Sequence, residues 1–250
     1  AQISTLENSP GGLSWSPDGN WIAFRASYDG PREIYMMPIA GRQPTRMTFE
    51  GGGVSLRGWL DGNRILYRTT NIPGTTPRLL RTLDRATLKT TDIPLADADE
   101  AALHSDGRTL AFTRFGLSIF ADNAVQYRGG RMAQLWTHTL GSTQEAVRLA
   151  ADFAAPIRHP MWHDNKVFFV SDKSGADNIW SVNDDGTNPT QLTSRDKWQI
   201  KSPTLHNGRI TFQSGADLFT YSTGLNHTTK INLTLSSDLD YQRRRWLDNP

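Results

Sequence analysis

Apolar residues in this chain fall in short bursts rather than in helical stripes. Five bursts have the length and side-chain types of buried strands: Trp21-Ile22-Ala23-Phe24, Ile65-Leu66-Tyr67, Leu110-Ala111-Phe112, Val167-Phe168-Phe169 and Ile210-Thr211-Phe212. Each follows a polar turn: Trp15-Ser16-Pro17-Asp18-Gly19, Trp59-Leu60-Asp61-Gly62, Leu103-His104-Ser105-Asp106-Gly107, Trp162-His163-Asp164-Asn165 and Leu205-His206-Asn207-Gly208. From Asp18 through Asp61, Asp106 and Asp164 to Asn207 the steps are 43, 45, 58 and 43 residues. A period of about 40 to 50 residues is that of a β-propeller blade, one four-stranded sheet. Asp-Gly and Asn-Gly pairs between apolar runs supply positive φ angles, so each copy is expected to close a two-residue hairpin.

A third strand with a large apolar centre follows in each repeat: Ile34-Tyr35-Met36, Leu79-Leu80, Leu135-Trp136, Ile179-Trp180 and Leu218-Phe219-Thr220-Tyr221. Four repeats then show a shorter polar strand, at Thr45–Thr48, Ala146–Leu149, Thr190–Thr193 and Thr229–Asn232. Polar, Thr-rich strands suit the outer edge of a blade, which meets water. The pattern therefore predicts an all-β propeller with almost no helix. Its blades span about 13–52, 54–98, 100–155, 156–199 and 200–236. Gln2-Ile3-Ser4-Thr5 matches the outer-strand pattern of Gln191-Leu192-Thr193-Ser194, so residues 1–8 read as the orphan outer strand of a further blade. Five full blades plus this strand imply a six-bladed ring with roughly 25 residues of the sixth blade lying upstream, a complete five-bladed ring being the alternative. Residues 237–250 read as a polar linker toward a following domain. Trp15, Trp59 and Trp162 share one phase and are expected to pack between blades.

Composition narrows the partners. The 27 Lys and Arg nearly balance the 25 Asp and Glu, so the sequence pI of about 9.0 does not define a nucleic-acid surface. No apolar run is long enough to span a bilayer, and no signal-peptide pattern stands at the start. With no cysteine there are no disulfides or thiolate metal sites. His104, His163 and His206 occupy equivalent turns and read as turn residues. His159 and His163, four apart on strand and turn, carry no metal-ligand signal. Asp172, Asp177, Asp184 and Asp185 flank Gly175 and Gly186 and mark loops. No Gly-x-Ser-x-Gly elbow or phosphate-binding Gly loop is present, so no catalytic, cofactor-binding or metal residue is assigned and no cofactor is expected. The binding candidates are arginines. Arg128 and Arg131 sit in a Gly-rich insertion of the over-long third repeat, where a guanidinium fork can hold a peptide carboxylate or bridge domains. Arg243, Arg244 and Arg245 read as a linker that docks a neighbouring domain.

Ser16 to Gly19, Ile22 to Phe24, Gly30, Ile34 to Met36 and Met47-Thr48 together resemble the propeller repeat shared by TolB and tricorn-type proteases. Tyr127-Arg128-Gly129-Gly130-Arg131 before Gln134-Leu135-Trp136 is similar to a segment of the six-bladed tricorn propeller. The tail from Asp240 to Pro250 looks like the junction toward a second propeller. The resemblance implies the N-terminal, non-catalytic propeller of a serine peptidase whose catalytic residues lie in later domains. It also implies a role in gating or docking peptides. The partners implied are peptides and adjacent domains, with homo-oligomerisation open. Two alternatives are a TolB-like envelope adaptor that binds proteins, and a propeller lyase acting on sugars. Exported relatives favour a periplasmic or secreted location, with the cytoplasm still open.

Overall fold

The computed structural model describes residues 11–72, 78–116 and 126–234. It contains five four-stranded antiparallel sheets and, among the described residues, no helix. The first blade comprises β1 (Gly11–Trp15), β2 (Trp21–Ala26), β3 (Glu33–Pro38) and β4 (Thr45–Arg46). The second comprises β5 (Ser55–Trp59), β6 (Arg64–Thr69), β7 (Leu79–Asp84) and β8 (Thr90–Asp92). The third comprises β9 (Ala98–Leu103), β10 (Thr109–Arg114), β11 (Gln134–Thr139) and β12 (Val147–Arg148). The fourth comprises β13 (Arg158–His163), β14 (Lys166–Ser171), β15 (Asn178–Asn183) and β16 (Thr190–Gln191). The fifth comprises β17 (Ile200–His206), β18 (Arg209–Ser214), β19 (Asp217–Ser222) and β20 (His227–Ile231). Every sheet runs in sequence order, and the first strands β1, β5, β9, β13 and β17 lie successively against one another. The first strand of each blade is therefore the innermost, as an up-and-down propeller requires.

Alternation along the middle strands makes both faces of each sheet apolar, so four core clusters lie between blades, while a fifth, of Ile22, Phe24, Ala26, Tyr35 and Met37, lies within the first blade. One cluster joins Ala23, Ile34 and Met36 of the first blade to Leu56, Ile65 and Tyr67 of the second. Others join Leu66 and Leu80 to Leu110 and Phe112, Ala111 and Leu135 to Phe169 and Val182, and Phe168 and Ile179 to Ile210 and Phe212. Trp59 and Trp162 pack against such seams, and His104 lies 4.8 Å from the Trp162 ring. Trp15, at the same phase, is 52% exposed. The expected inter-blade role thus holds at 59 and 162 but not at 15, where no described blade precedes it.

A recurrent lock ties the outer strand of a blade to its third strand. In the first blade the Thr48 hydroxyl accepts from Ile34 N at 2.9 Å and donates to the buried Glu33 carboxylate at 2.6 Å. In the fourth, Thr193 accepts from Ile179 N and donates to Asn178 Oδ1, each at 2.9 Å.

The hairpins differ from expectation in three blades. Only the fourth and fifth close with two residues, with His163 opposite Lys166 and His206 opposite Arg209. Asn207 and Gly208 there take φ of 46° and 71°. In the first blade Ser16 pairs with Trp21 across residues 17–20, and Pro17, having no N–H, could not donate in a tighter pair with Asn20. Asp18 instead accepts from Asn20 N at 3.1 Å. Asp61 accepts from Asn63 N and Arg64 N, and Asp106 from Arg108 N and Thr109 N, so these aspartates build side-chain turns.

Candidate functional site at the propeller channel

The five inner strands surround a cavity of about 530 Å³ on the propeller axis. What lines it is set by an irregularity at one place in every blade. Gly12 and Leu13 in β1, Asp99 and Glu100 in β9, His159 and Pro160 in β13, and Ser202 and Pro203 in β17 each oppose a single partner residue. In β5 the extra residue is Arg57. A β-bulge re-aims side chains and frees a strand from its ladder, so it tolerates proline at 160 and 203. Gly12, His159 and Ser202 take φ of 61°, 52° and 47°, and Gly58 beside Arg57 takes 127°.

The bulges bring charge to the channel wall. The fully buried Asp99 carboxylate receives Arg57, Arg78 Nη1 at 3.2 Å and Arg68 Nε at 3.5 Å. Arg57 also donates through Nε to the Asp99 carbonyl at 3.0 Å, which locks the bulge of β9 against β5. Beside it, Glu100 Oε1 lies 2.8 Å from His159 Nδ1, and Glu100 Oε2 accepts from His159 N at 2.7 Å. The Glu100 amide, left over by the bulge, donates to Thr113 Oγ1 at 3.1 Å. Burial pushes the Glu100 carboxyl up, but the His159 charge and hydrogen bonds, helped by Arg57, outweigh it and hold the group at about 2. No hydroxyl is bonded to His159 among the described residues, so the pair fixes the bulge and presents an imidazole to the lumen without a nucleophile attached.

The arginines singled out by the sequence stand elsewhere. Arg128 donates to Asp172 Oδ1 at 2.9 Å and to Asp172 O at 3.2 Å, and Gln126 donates to Gly175 O at 3.0 Å. These bonds stitch residues 126–128 of the third repeat to the loop after β14 of the fourth. Arg131 is the freer of the two, its side chain 58% exposed and 3.9 Å from Asp97. Arg243, Arg244 and Arg245, and the strand expected at 1–8 and linker expected at 237–250, lie outside the described residues. The loop aspartates are engaged within the protein: Asp172 by Arg128, Asp177 by Arg158 and Asp185 by Thr187. The channel residues Arg57, Glu100 and His159 were not anticipated as a site from the sequence.

Comparison with known proteins places the chain in a family. The chain is 26% identical over 207 residues to tricorn protease homolog 1 of Streptomyces coelicolor, covering 82% of this chain but 19% of that protein. The crystal structure of the tricorn protease superposes with a TM-score of 0.80 at 18% identity, covering 94% of this chain and 24% of that one. A putative TolB from Agrobacterium tumefaciens superposes at 0.72 with 13% identity, covering 91% of this chain and 82% of that one, a likeness of fold alone. The chain thus spans about a fifth of its longer Streptomyces relative. The sequence profile of the tricorn protease N-terminal β-propeller domain matches residues 5–227, and the chain belongs to that family.

Proposed function

We propose that this propeller is the non-catalytic N-terminal module of a tricorn-like peptidase, and that its axial channel admits or docks extended peptide segments. The observation that carries this reading is the cavity of about 530 Å³ lined by all five inner strands. A folded domain of 100 residues has a radius of gyration of about 13 Å and cannot enter such a space, whereas an extended backbone finds polar and charged groups along its wall. Ser202 and Thr204 face this lumen and are exposed, so Thr204→Trp obstructs it without disturbing the core. Loss of binding of a fluorescein-labelled unstructured peptide in this variant is expected, and unchanged binding refutes the channel as the docking site. In this reading Arg131 contributes a contact for peptide or neighbouring domain, and Arg128 holds the segment that carries it.

The same reading includes a sixth blade. Trp59 and Trp162 each lie against a preceding blade, and the half-exposed Trp15 stands where a blade ahead of β1 would cover it. In a longer chain that supplies such a blade, the Trp15 emission, isolated by difference against Trp15→Phe, is expected to shift to the blue. An unshifted emission counts against the sixth blade.

A further inference from the structure

At and behind the channel wall the four guanidinium groups of Arg25, Arg57, Arg68 and Arg78 stand among three carboxylates, Asp97, Asp99 and Glu100. Arg57, from the bulge of β5, has Asp99 as its carboxylate, shared with Arg68 and with Arg78, which also lies 3.4 Å from Asp97. Arg25, on β2 of the neighbouring blade, has no carboxylate partner among the described residues. It donates only to neutral oxygens, Val54 O at 3.4 Å and Ser55 Oγ at 3.3 Å, both long for a charged donor. Its Nη2 sits beside the inner strand, 3.6 Å from where a Cβ on Gly11 would stand. A larger residue there would crowd the guanidinium from the position it occupies. Burial weakens the hold of Arg25 on its proton, and Arg32 and Arg57 add like charge to the same effect. The other acid on the wall, Glu100, is already committed through both oxygens to His159.

A half-buried guanidinium with spare donors, set among other guanidinium groups, is held at a cost that an incoming anion relieves. We infer that Arg57, which lines the cavity, and Arg25, at the seam of the first two blades beside it, form an oxyanion-binding locus that selects peptides bearing carboxylate side chains from those that enter. This rests on the reading of the channel as a peptide passage. A peptide is favoured over an acidic polysaccharide because, among the described residues, no Trp, Tyr or Phe lines the cavity to stack against a sugar ring.

The test is calorimetric titration of the purified chain at low salt with hexaglutamate, hexaserine, inorganic phosphate and a hexameric galacturonate. Hexaglutamate is expected to bind about tenfold or more tightly than hexaserine, a preference that fades as ionic strength rises. Arg25→Gln is expected to remove most of that preference, and Arg25→Lys to restore part of it. Arg148→Gln, on the exposed outer strand of the third blade, is expected to leave it intact. Because Arg25 has no acid partner to orphan among the described residues, the glutamine variant is expected to keep or raise the thermal midpoint. Equal binding of the two peptides overturns the anion locus and leaves the passage standing. Phosphate binding lost in Arg25→Gln, with neither peptide bound, upholds the locus and overturns the passage. Equal loss in Arg148→Gln marks the effect as nonspecific and overturns the locus. Galacturonate binding more tightly than hexaglutamate overturns the peptide assignment.

Discussion

Glu100→Gln separates the electrostatic work of one channel carboxylate from the acid response of the rest of the molecule. The carboxyl is buried, accepts His159 at both oxygens, and is held at about 2 against an ordinary 4.5. At about 1.4 kcal/mol per pH unit, that difference amounts to roughly 3 kcal/mol of native stability. The folded value lies below the unfolded one. The contribution is therefore complete above about pH 4.5, declines as the unfolded chain takes up a proton that the native state refuses, and is gone near pH 2. Glutamine keeps an acceptor for His159 N but carries no charge, so its stability lacks this component at every pH. Urea unfolding of both proteins at half-unit steps from pH 5 to pH 2, followed by tryptophan fluorescence, reads the difference directly. The gap between wild type and Glu100→Gln is expected to be about 3 kcal/mol at pH 5 and to close toward pH 2. Other carboxylates titrate in both proteins and cancel. Curves that stay parallel across this range refute the argument that His159 and Arg57 hold the carboxylate ionised.

Thr193→Val leaves Ile179 N–H buried without its acceptor and is expected to cost about 1–3 kcal/mol in urea unfolding. Thr48→Val also takes a donor from the ionised Glu33, so it is expected to cost more, and the reverse order contradicts the assignment. Arg128→Ala strips the buried Asp172 of its cation and is expected to make residues 126–133 markedly more sensitive to limited proteolysis. Arg131→Ala, on an exposed side chain, is expected to change stability by less than about 0.5 kcal/mol, and equal proteolysis of the two variants overturns the distinction.

Most of the framework was legible because it depends on local patterns that repeat. The third strands were found in every blade, since each carries a large apolar centre between turn residues. The outer strand of the second blade, Thr90–Asp92, was missed because all three residues are exposed and no apolar residue marks it. The Asp-Gly turns were placed correctly, but two-residue closure was expected where Asp18, Asp61 and Asp106 accept backbone amides across longer turns.

The channel escaped for a different reason. A bulge breaks the period-two alternation that identifies a strand, and the acidic pair in Ala98–Leu103 reads as loop until Arg57, Arg68 and Arg78 arrive from the second repeat. One signal was present. Pro160 and Pro203 each stand four residues before the turn residues Asp164 and Asn207, and a proline repeated inside a strand marks a bulge. The residues after the shared aromatic of the second strand make the larger point. Phe24, Tyr67, Phe112, Phe169 and Phe212 are fully or almost fully buried and nearly alike, yet the next positions are Arg25, Arg68, Thr113, Val170 and Gln213. Agreement among repeats specifies the blade, since every seam needs the same apolar fit. Disagreement marks the layer behind the inner strands, where Arg68 reaches the Asp99 carboxylate and Thr113 accepts from Glu100 N. The search for function in this fold therefore belongs at positions where the repeats stop resembling one another.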